Sequence, residues 1–175
     1  MVKLLEKDRL KYFIIILLVS FLSCLLLSGK RSSDVDLISV LSSSNYICLI
    51  LNNLYIYYMY TRCLKIRGVH DKIITRIGQK KFFNSYVINF VIDIIVYFLL
   101  IMLPIYIKFG INFSYINIFI VYLVLNFTCF FVEEVIGMLI FLVPNGYKYI
   151  VIPIILNFIF HYFILGFIIN NLFGL

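Results

Sequence analysis

The sequence predicts an all-α, polytopic integral membrane protein: a helix bundle of about six segments, of which the fifth is short or re-entrant. Hydrophobic side chains make up 64% of the 175 residues and charged ones only 13%, and the mean hydropathy is +1.09. Soluble domains contain about 45–50% apolar and about 25% charged residues. A chain of this length cannot bury such an excess in one small core, so the surplus must face lipid. A soluble enzyme, a nucleic-acid-binding module and a disulfide scaffold are thereby excluded.

The first predicted span covers residues 12–28 and follows a basic N-terminus that contains Lys7, Arg9 and Lys11. A secretory signal peptide opens in the same way, but no small-residue cleavage site follows this apolar run. We therefore expect a retained helix, with a cleaved signal peptide as the alternative.

The second predicted span, residues 37–60, is less hydrophobic than the first. Serines and asparagines lie inside it, including Asn52 and Asn53. Helices rich in polar groups pack against other helices rather than against lipid. Tyrosines crowd the far end of this span, as is typical of the headgroup level of a bilayer. They are Tyr55, Tyr57, Tyr58 and Tyr60.

A strongly basic loop, residues 61–82, follows the second span and contains a single acid, Asp71. Its basic residues are Arg62, Lys65, Arg67, Lys72, Arg76, Lys80 and Lys81. Because short cytoplasmic loops are enriched in Lys and Arg, the loop is predicted to be cytoplasmic. Two spans separate it from the basic N-terminus, so both lie on the same side. This predicts a multi-pass plasma-membrane protein with a cytoplasmic N-terminus, and His70 in the loop is expected to be solvated.

Four further apolar segments are predicted at residues 86–107, 113–132, 135–143 and 150–173, and together the spans form one transmembrane domain, 1–175. The segment 135–143 is too short to cross, because nine helical residues rise only ~14 Å, about half of a ~30 Å hydrocarbon core. It either extends through the residues near Glu133 and Glu134 to form a full span, or it is a re-entrant helix. Six segments place both termini in the cytoplasm. Five spans with an external C-terminus are the alternative.

Polar side chains within the apolar segments are candidates for a path through the membrane. They are Asn52, Asn53, Asp93, Glu133, Glu134 and His161. An ionisable group at the centre of a membrane helix costs about 2.5–3.5 kcal/mol, which makes a proton or cation site a reasonable hypothesis. The alternative for Glu133 and Glu134 is a hydrated cytoplasmic turn between two spans. For Asp93 and His161 it is hydrogen bonding between helices.

The chain shows no sequence signature of a cofactor or metal site. Its four cysteines have no paired spacing, and neither a glycine-rich phosphate loop nor a nucleophile motif is present. We therefore predict no cofactor, no bound metal and no enzymatic activity.

The segment Arg76-Ile77-Gly78-Gln79-Lys80-Lys81-Phe82-Phe83 resembles the cytoplasmic segment of small six-span permease subunits of ABC-2-type exporters from low-GC Gram-positive bacteria. The resemblance implies a dimer, either of two copies or with another permease half. It also implies a separate cytoplasmic ATP-binding subunit that hydrolyses ATP. Peptide or bacteriocin export and self-immunity are the functions it suggests. The residues expected to couple to the ATP-binding subunit are Arg67, Lys72, Arg76, Gly78, Lys80, Lys81 and Phe82.

Two other functions stay open. One is a membrane protein that does not transport, such as a bacteriocin-immunity or regulatory factor. The other is an intramembrane protease of the CPBP type, whose motif has Glu-Glu followed three residues later by Arg and then a Phe-x-x-x-His helix. Glu133, Glu134 and His161 resemble parts of that motif, but Met138 and Asn157 replace its Arg and Phe.

The predicted orientation can be tested by placing a cysteine at position 72, within the basic loop, in a chain whose native cysteines are replaced. A membrane-impermeant maleimide should label Lys72→Cys only after intact cells are permeabilised. Labelling from outside intact cells would overturn both the orientation and the coupling of this loop to a cytoplasmic ATPase.

Overall fold

A computed structural model describes residues 2–26, 50–109 and 116–165, together with residues 167, 168 and 171. Among these residues the regular structure is helical and no strand occurs, which confirms the all-α class. The helices are α1 (Val2–Leu26), α2 (Asn53–Arg67), α3 (His70–Ile77), α4 (Gln79–Phe109), α5 (Ile116–Gly137), α6 (Leu139–Leu142) and α7 (Val151–Ile159). A 3₁₀ turn, Gly146–Ile150, precedes α7, and a π-helical turn, Phe160–Leu165, follows it.

Three stretches of the described chain are long and apolar enough to cross a membrane. They are Gln79–Lys108, Phe119–Leu142 and Gly146–Leu165, as expected for a membrane protein. The predicted span 12–28 falls largely within α1. Residues 37–49 of the second predicted span lie outside the described residues, whereas its last part belongs to α2 and the turn before it. The six-segment arrangement is not confirmed.

The predicted separate segment 135–143 is not present as such. Helix α5 continues through Glu133 and Glu134 to Gly137, and only a brief break at Met138 separates it from α6. One candidate span, Phe119–Leu142, includes both helices. After Glu134, no proline or asparagine occurs until Pro144 and Asn145. The backbone turns there, with Asn145 in the left-handed region at φ 58°.

Helices α1 and α4 run parallel and are joined by side chains that bind backbone carbonyls. Ser20 Oγ donates to the Ile101 carbonyl and Cys24 Sγ to the Pro104 carbonyl, each over 3.4 Å. Lys108 Nζ lies 2.6 Å from the carbonyl oxygen of Cys24. Because the residue numbers increase together along both helices, their N-terminal ends lie at the same end of the bundle.

Helices α2 and α5 run antiparallel to α4 and pack on it through aromatic rings. The ring of Tyr55 lies 4.7 Å from that of Tyr97 and 5.2 Å from that of Phe130. The rings of Tyr97 and Phe130 are themselves 5.1 Å apart. Offset and edge-on aromatic pairs contribute about 0.5–1.5 kcal/mol beyond the area they bury. The centre of the bundle is therefore a three-helix contact between α2, α4 and α5.

His70, expected to be solvated, is instead packed against aromatic rings at the start of α3. Its ring lies 5.4 Å from that of Phe82 and 5.6 Å from that of Phe141. Only 16% of the side chain is exposed, although its neighbour Asp71 is 98% exposed. The expectation of a solvated histidine was wrong because α3 folds back on the bundle and brings His70 against α4 and α6.

The turn between α6 and α7 provides a test of this fold, because Gly146 has no space for a side chain. A Cβ atom there would overlap the carbonyl oxygen of Leu139 and lie 2.7 Å from that of Ile140. Gly146→Ala should therefore lower the free energy of unfolding by about 1–3 kcal/mol, as overpacking does. Reversible unfolding in mixed micelles of increasing SDS content measures the change. Gly68→Ala is the control, because its nearest neighbour would be 3.6 Å away, and an equal loss in both variants would contradict the turn geometry.

Candidate functional site

Four charged side chains from four helices meet inside the bundle, and we call Arg9, Arg62, Asp93 and Glu134 the Arg62 cluster. The Arg62 guanidinium pairs with both carboxylates, through one nitrogen with Asp93 and through another with Glu134. Arg9 Nε lies 2.6 Å from the second oxygen of Asp93. Asp93 is 2% exposed and Glu134 is fully buried. Two cations face two anions, so the cluster carries no net charge.

Helical spacing explains how α2 and α4 present the cluster. Tyr55, Tyr58 and Arg62 are three, four and seven residues apart along α2, so they lie on one helix face. Tyr86 and Asp93 are two turns apart on the face of α4 that meets it. Each helix thus carries a charged group together with the phenols that surround it.

Tyrosine hydroxyls add hydrogen bonds to the buried carboxylates. Tyr58 donates to Asp93 Oδ2 over 2.9 Å, and Tyr55 donates to Glu134 Oε1 over 2.8 Å. Tyr86 Oη lies 3.4 Å from Glu134 Oε2. The guanidinium carbon of Arg62 also lies 5.5 Å and 5.3 Å from the ring centres of Tyr58 and Tyr86, which adds cation–π attraction. Buried ion pairs need such additional bonds to offset the cost of removing charges from water.

The glutamates at 133 and 134 do not lie in a hydrated turn, so that interpretation was wrong. Both are inside α5 and at most 1% exposed. Their surroundings differ, because Glu134 belongs to the Arg62 cluster and Glu133 does not. Glu133 Oε1 lies 3.5 Å from the thiol of Cys129, and its Oε2 has no hydrogen-bond partner among the described residues.

A second polar contact connects the turn before α2 with α4 and α7, about one turn along α4 from Asp93. Asn52 Nδ2 donates to Asn157 Oδ1 over 2.8 Å, and Tyr97 Oη donates to Asn52 Oδ1 over 2.6 Å. Asn53 is half-buried at the next position of the chain. His161 is 4% exposed in the π-helical turn, and its Nε2 has no hydrogen-bond partner among the described residues.

The structure therefore joins only some of the residues predicted to form a polar path. Asp93 and Glu134 share Arg62, and Asn52 lies in a separate contact nearby. Glu133 and His161 belong to neither group. They are carried by elements that pack on each other, α5 and the π-helical turn.

The basic and aromatic members of this site are not among the residues predicted from the sequence. Arg62 was assigned to the cytoplasmic loop, and Tyr55 and Tyr58 were expected at the headgroup level, yet all three are buried. Tyr57, on the other face of α2, is 53% exposed. The spacing Tyr-x-x-Tyr-x-x-x-Arg at the end of an apolar segment is the signal that would have indicated one buried helix face.

The predicted coupling residues divide between surface and core. Lys72, Arg76, Gly78, Lys80 and Lys81 are exposed, and Arg67 is half-buried. Phe82 is only 6% exposed and packs against His70 and Phe141, so it does not belong to an accessible surface. We therefore no longer include Phe82 among the residues expected to contact a partner.

Within the described residues, no three His, Cys, Asp or Glu side chains come together in a way that could hold a metal ion. No protein-family model matches the chain, and neither a curated protein nor a solved structure matches it.

Replacing Arg62 tests whether the Arg62 cluster stabilises the fold. Arg62→Gln leaves two buried carboxylates without their shared partner, and breaking a buried pair in this way costs about 3–5 kcal/mol. Arg67→Gln is the matched control, because Arg67 lies on the same helix and is half-buried; it should change stability by about 0.5 kcal/mol or less. SDS unfolding in mixed micelles measures both, and equal stabilities would show that the cluster does not stabilise the bundle.

Proposed function

We propose that this chain is the membrane-spanning permease subunit of an ABC-type exporter. In this proposal α3 and the corner that follows it dock on a separate cytoplasmic ATP-binding subunit. The observation that carries the proposal is an exposed amphipathic helix inserted between two bundle helices that share the Arg62 cluster. Peptides, including bacteriocins exported for self-immunity, are the substrate class suggested by the resemblance of residues 76–83.

Helix α3 presents its charged face outward. None of its residues is fully buried, and Asp71, Lys72 and Arg76 are exposed. Ile73 and Ile74 are partly buried and pack against the core. A short helix held by one apolar face, with its polar face free, is suited to enter a groove on a partner protein.

The corner after α3 depends on Gly78. This residue has φ 81° and ψ 152°, a combination that essentially only glycine adopts. The change of direction lets the long helix α4 begin at Gln79. Exposed Lys80 and Lys81 lie beside a surface groove of about 480 Å³ that Asn84 and Ser85 also line. A basic groove of this kind complements an acidic partner surface.

The same region is attached firmly to the buried site. Arg62 is five residues before the end of α2, and Tyr86 and Asp93 lie in the first half of α4. His70, at the start of α3, packs between Phe82 and Phe141. A force applied to α3 therefore reaches the helices that the Arg62 cluster connects. In the proposed exporter, ATP binding by the partner subunit changes this packing, and the transport path forms where two permease halves meet.

The helix directions support a cytoplasmic N-terminus. Because α1 and α4 run parallel, the basic N-terminus and the basic corner at Gly78 lie at the same end of the bundle. The bias of Lys and Arg toward the cytoplasm applies to both. Since α5 and α6 belong to one candidate span, we favour five crossings of the plasma membrane with an external C-terminus over the six predicted.

The CPBP protease is the weaker alternative. In its favour, the buried Glu133 and His161 lie on contacting elements. Met138 occupies the motif's Arg position, but Arg62 provides a guanidinium group beside Glu134. However, Asn157 at the motif's Phe position is hydrogen-bonded to Asn52 within the protein. A membrane-bound immunity or regulatory factor would use the exposed surface of α3 without an ATPase.

Charge reversal on α3 and its corner distinguishes these functions. A chromosomally tagged chain should co-purify with an ATP-binding protein, and the triple variant R76E/K80E/K81E should reduce the recovered partner at least about tenfold, the equivalent of ~1.4 kcal/mol. The three residues are exposed, so the variant should fold.

Lys80→Glu and Lys148→Glu form a matched pair of single changes for the same measurement. Lys148 is also exposed, and it lies in the turn that packs on α6 at the same end of the bundle. Loss of the partner with Lys80→Glu but not with Lys148→Glu is expected. A folded chain that recovers no ATP-binding protein, while still protecting cells from a bacteriocin, would favour the immunity factor instead.

A further inference from the structure

Glu133 is a carboxyl group buried in the bundle outside the Arg62 cluster. It is 1% exposed, in the middle of the candidate span Phe119–Leu142. One of its oxygens lies 3.5 Å from the thiol of Cys129, one helical turn earlier. The other oxygen has no hydrogen-bond partner among the described residues. A buried polar atom in this state needs an explanation.

The buried charged groups on α2 and α4, which pack against α5, are already paired with other side chains. On α2, Arg62 pairs with Asp93 and Glu134, and Tyr55 donates to Glu134. On α4, Asp93 is paired with Arg62 and Arg9, and Tyr86 lies within hydrogen-bond distance of Glu134.

The remaining neighbours also supply no cation to Glu133. On α7, Asn157 is bonded to Asn52. The π-helical turn contributes His161, and the 3₁₀ turn contributes Lys148, which is exposed at the surface. The adjacent group on α5 itself is another acid, Glu134. In the described part of the chain, Glu133 therefore has no ion-pair partner.

Among the described residues, an ionised Glu133 would be a buried charge with no counterion. The Arg62 cluster is neutral, so it offers no net positive charge to offset a further carboxylate. An unpaired buried ion costs several kcal/mol even after the surroundings relax. A proton on Glu133 removes the charge and converts the carboxylate into a hydrogen-bond donor.

We propose that Glu133 is a proton-binding site within the helix bundle, occupied by a proton at neutral pH. The ligand is a single exchangeable proton on the carboxyl group beside Cys129. The site is distinct from the Arg62 cluster, whose two acids are each paired with Arg62. The proposal is independent of the docking of α3 on an ATPase, and it gives the chain a group through which a proton could be taken up or released when the packing of α5 changes.

Infrared spectroscopy of the purified full chain in lipid nanodiscs tests the proposal directly. The wild-type protein should show the carbonyl stretching band of a protonated carboxylic acid at neutral pH, and the band should disappear at strongly alkaline pH. Glu133→Gln should lack the band. Asp71→Asn, which removes an acid whose side chain is 98% exposed, should retain it. No band in the wild type at neutral pH, or a band that persists in folded Glu133→Gln, would overturn the proposal.

A second measurement needs no variant and decides the question if Glu133→Gln does not fold. Dicyclohexylcarbodiimide is a hydrophobic reagent that adds to protonated carboxylic acids and leaves a stable N-acylurea. Tandem mass spectrometry should place the adduct on Glu133 of the wild-type chain, with less labelling as the pH rises. Adducts on Glu134 or Asp93 with Glu133 unmodified would show that the proton is bound elsewhere.

Discussion

The pairing of one guanidinium with two carboxylates determines how this bundle can be assembled. Arg62 comes from α2, Asp93 from α4 and Glu134 from α5, and all three are buried. Each charge would be costly in a membrane interior without the others. Arg62 therefore makes it possible for α4 and α5 to carry acids in the middle of apolar segments, and for α5 to continue as a helix past the Glu133-Glu134 pair. The aromatic contacts between Tyr55, Tyr97 and Phe130 pack beside this layer.

The basic residues of the predicted loop 61–82 have two separate roles. The first of them, Arg62, is buried and pairs with the carboxylates of Asp93 and Glu134. Those that remain exposed include Lys72, Arg76, Lys80 and Lys81. Only a few residues separate Arg62 from α3. The surface that we propose to bind a partner and the buried ion-pair network are thus built from one stretch of chain. This proximity supports the proposed coupling between an ATP-binding subunit and the bundle.

The positions of the helices were predicted more accurately than their boundaries. The apolar runs correctly indicated helices in the regions of α1, α4, α5 and α7, because apolar segments in lipid must satisfy their own backbone hydrogen bonds. The boundaries were less accurate. Helix α4 begins at Gln79 rather than near residue 86, since basic and polar residues also form helix once Gly78 has turned the chain. The prediction of a separate segment at residues 135–143 was wrong. The two acids that suggested a break are buried inside α5, where Glu134 pairs with Arg62.

Composition and hydropathy are enough to identify a helical protein that is rich enough in apolar residues for a membrane. They also locate a long, strongly basic stretch at residues 61–82, because composition and local spacing are properties of the chain alone. The packing of the helices is what buries Arg62, pairs it with Glu134 and leaves Glu133 outside the cluster. These outcomes depend on contacts between residues 31 and 72 positions apart. Local pattern carries no information about such partners, since which helix faces meet is settled by the packing of the whole bundle.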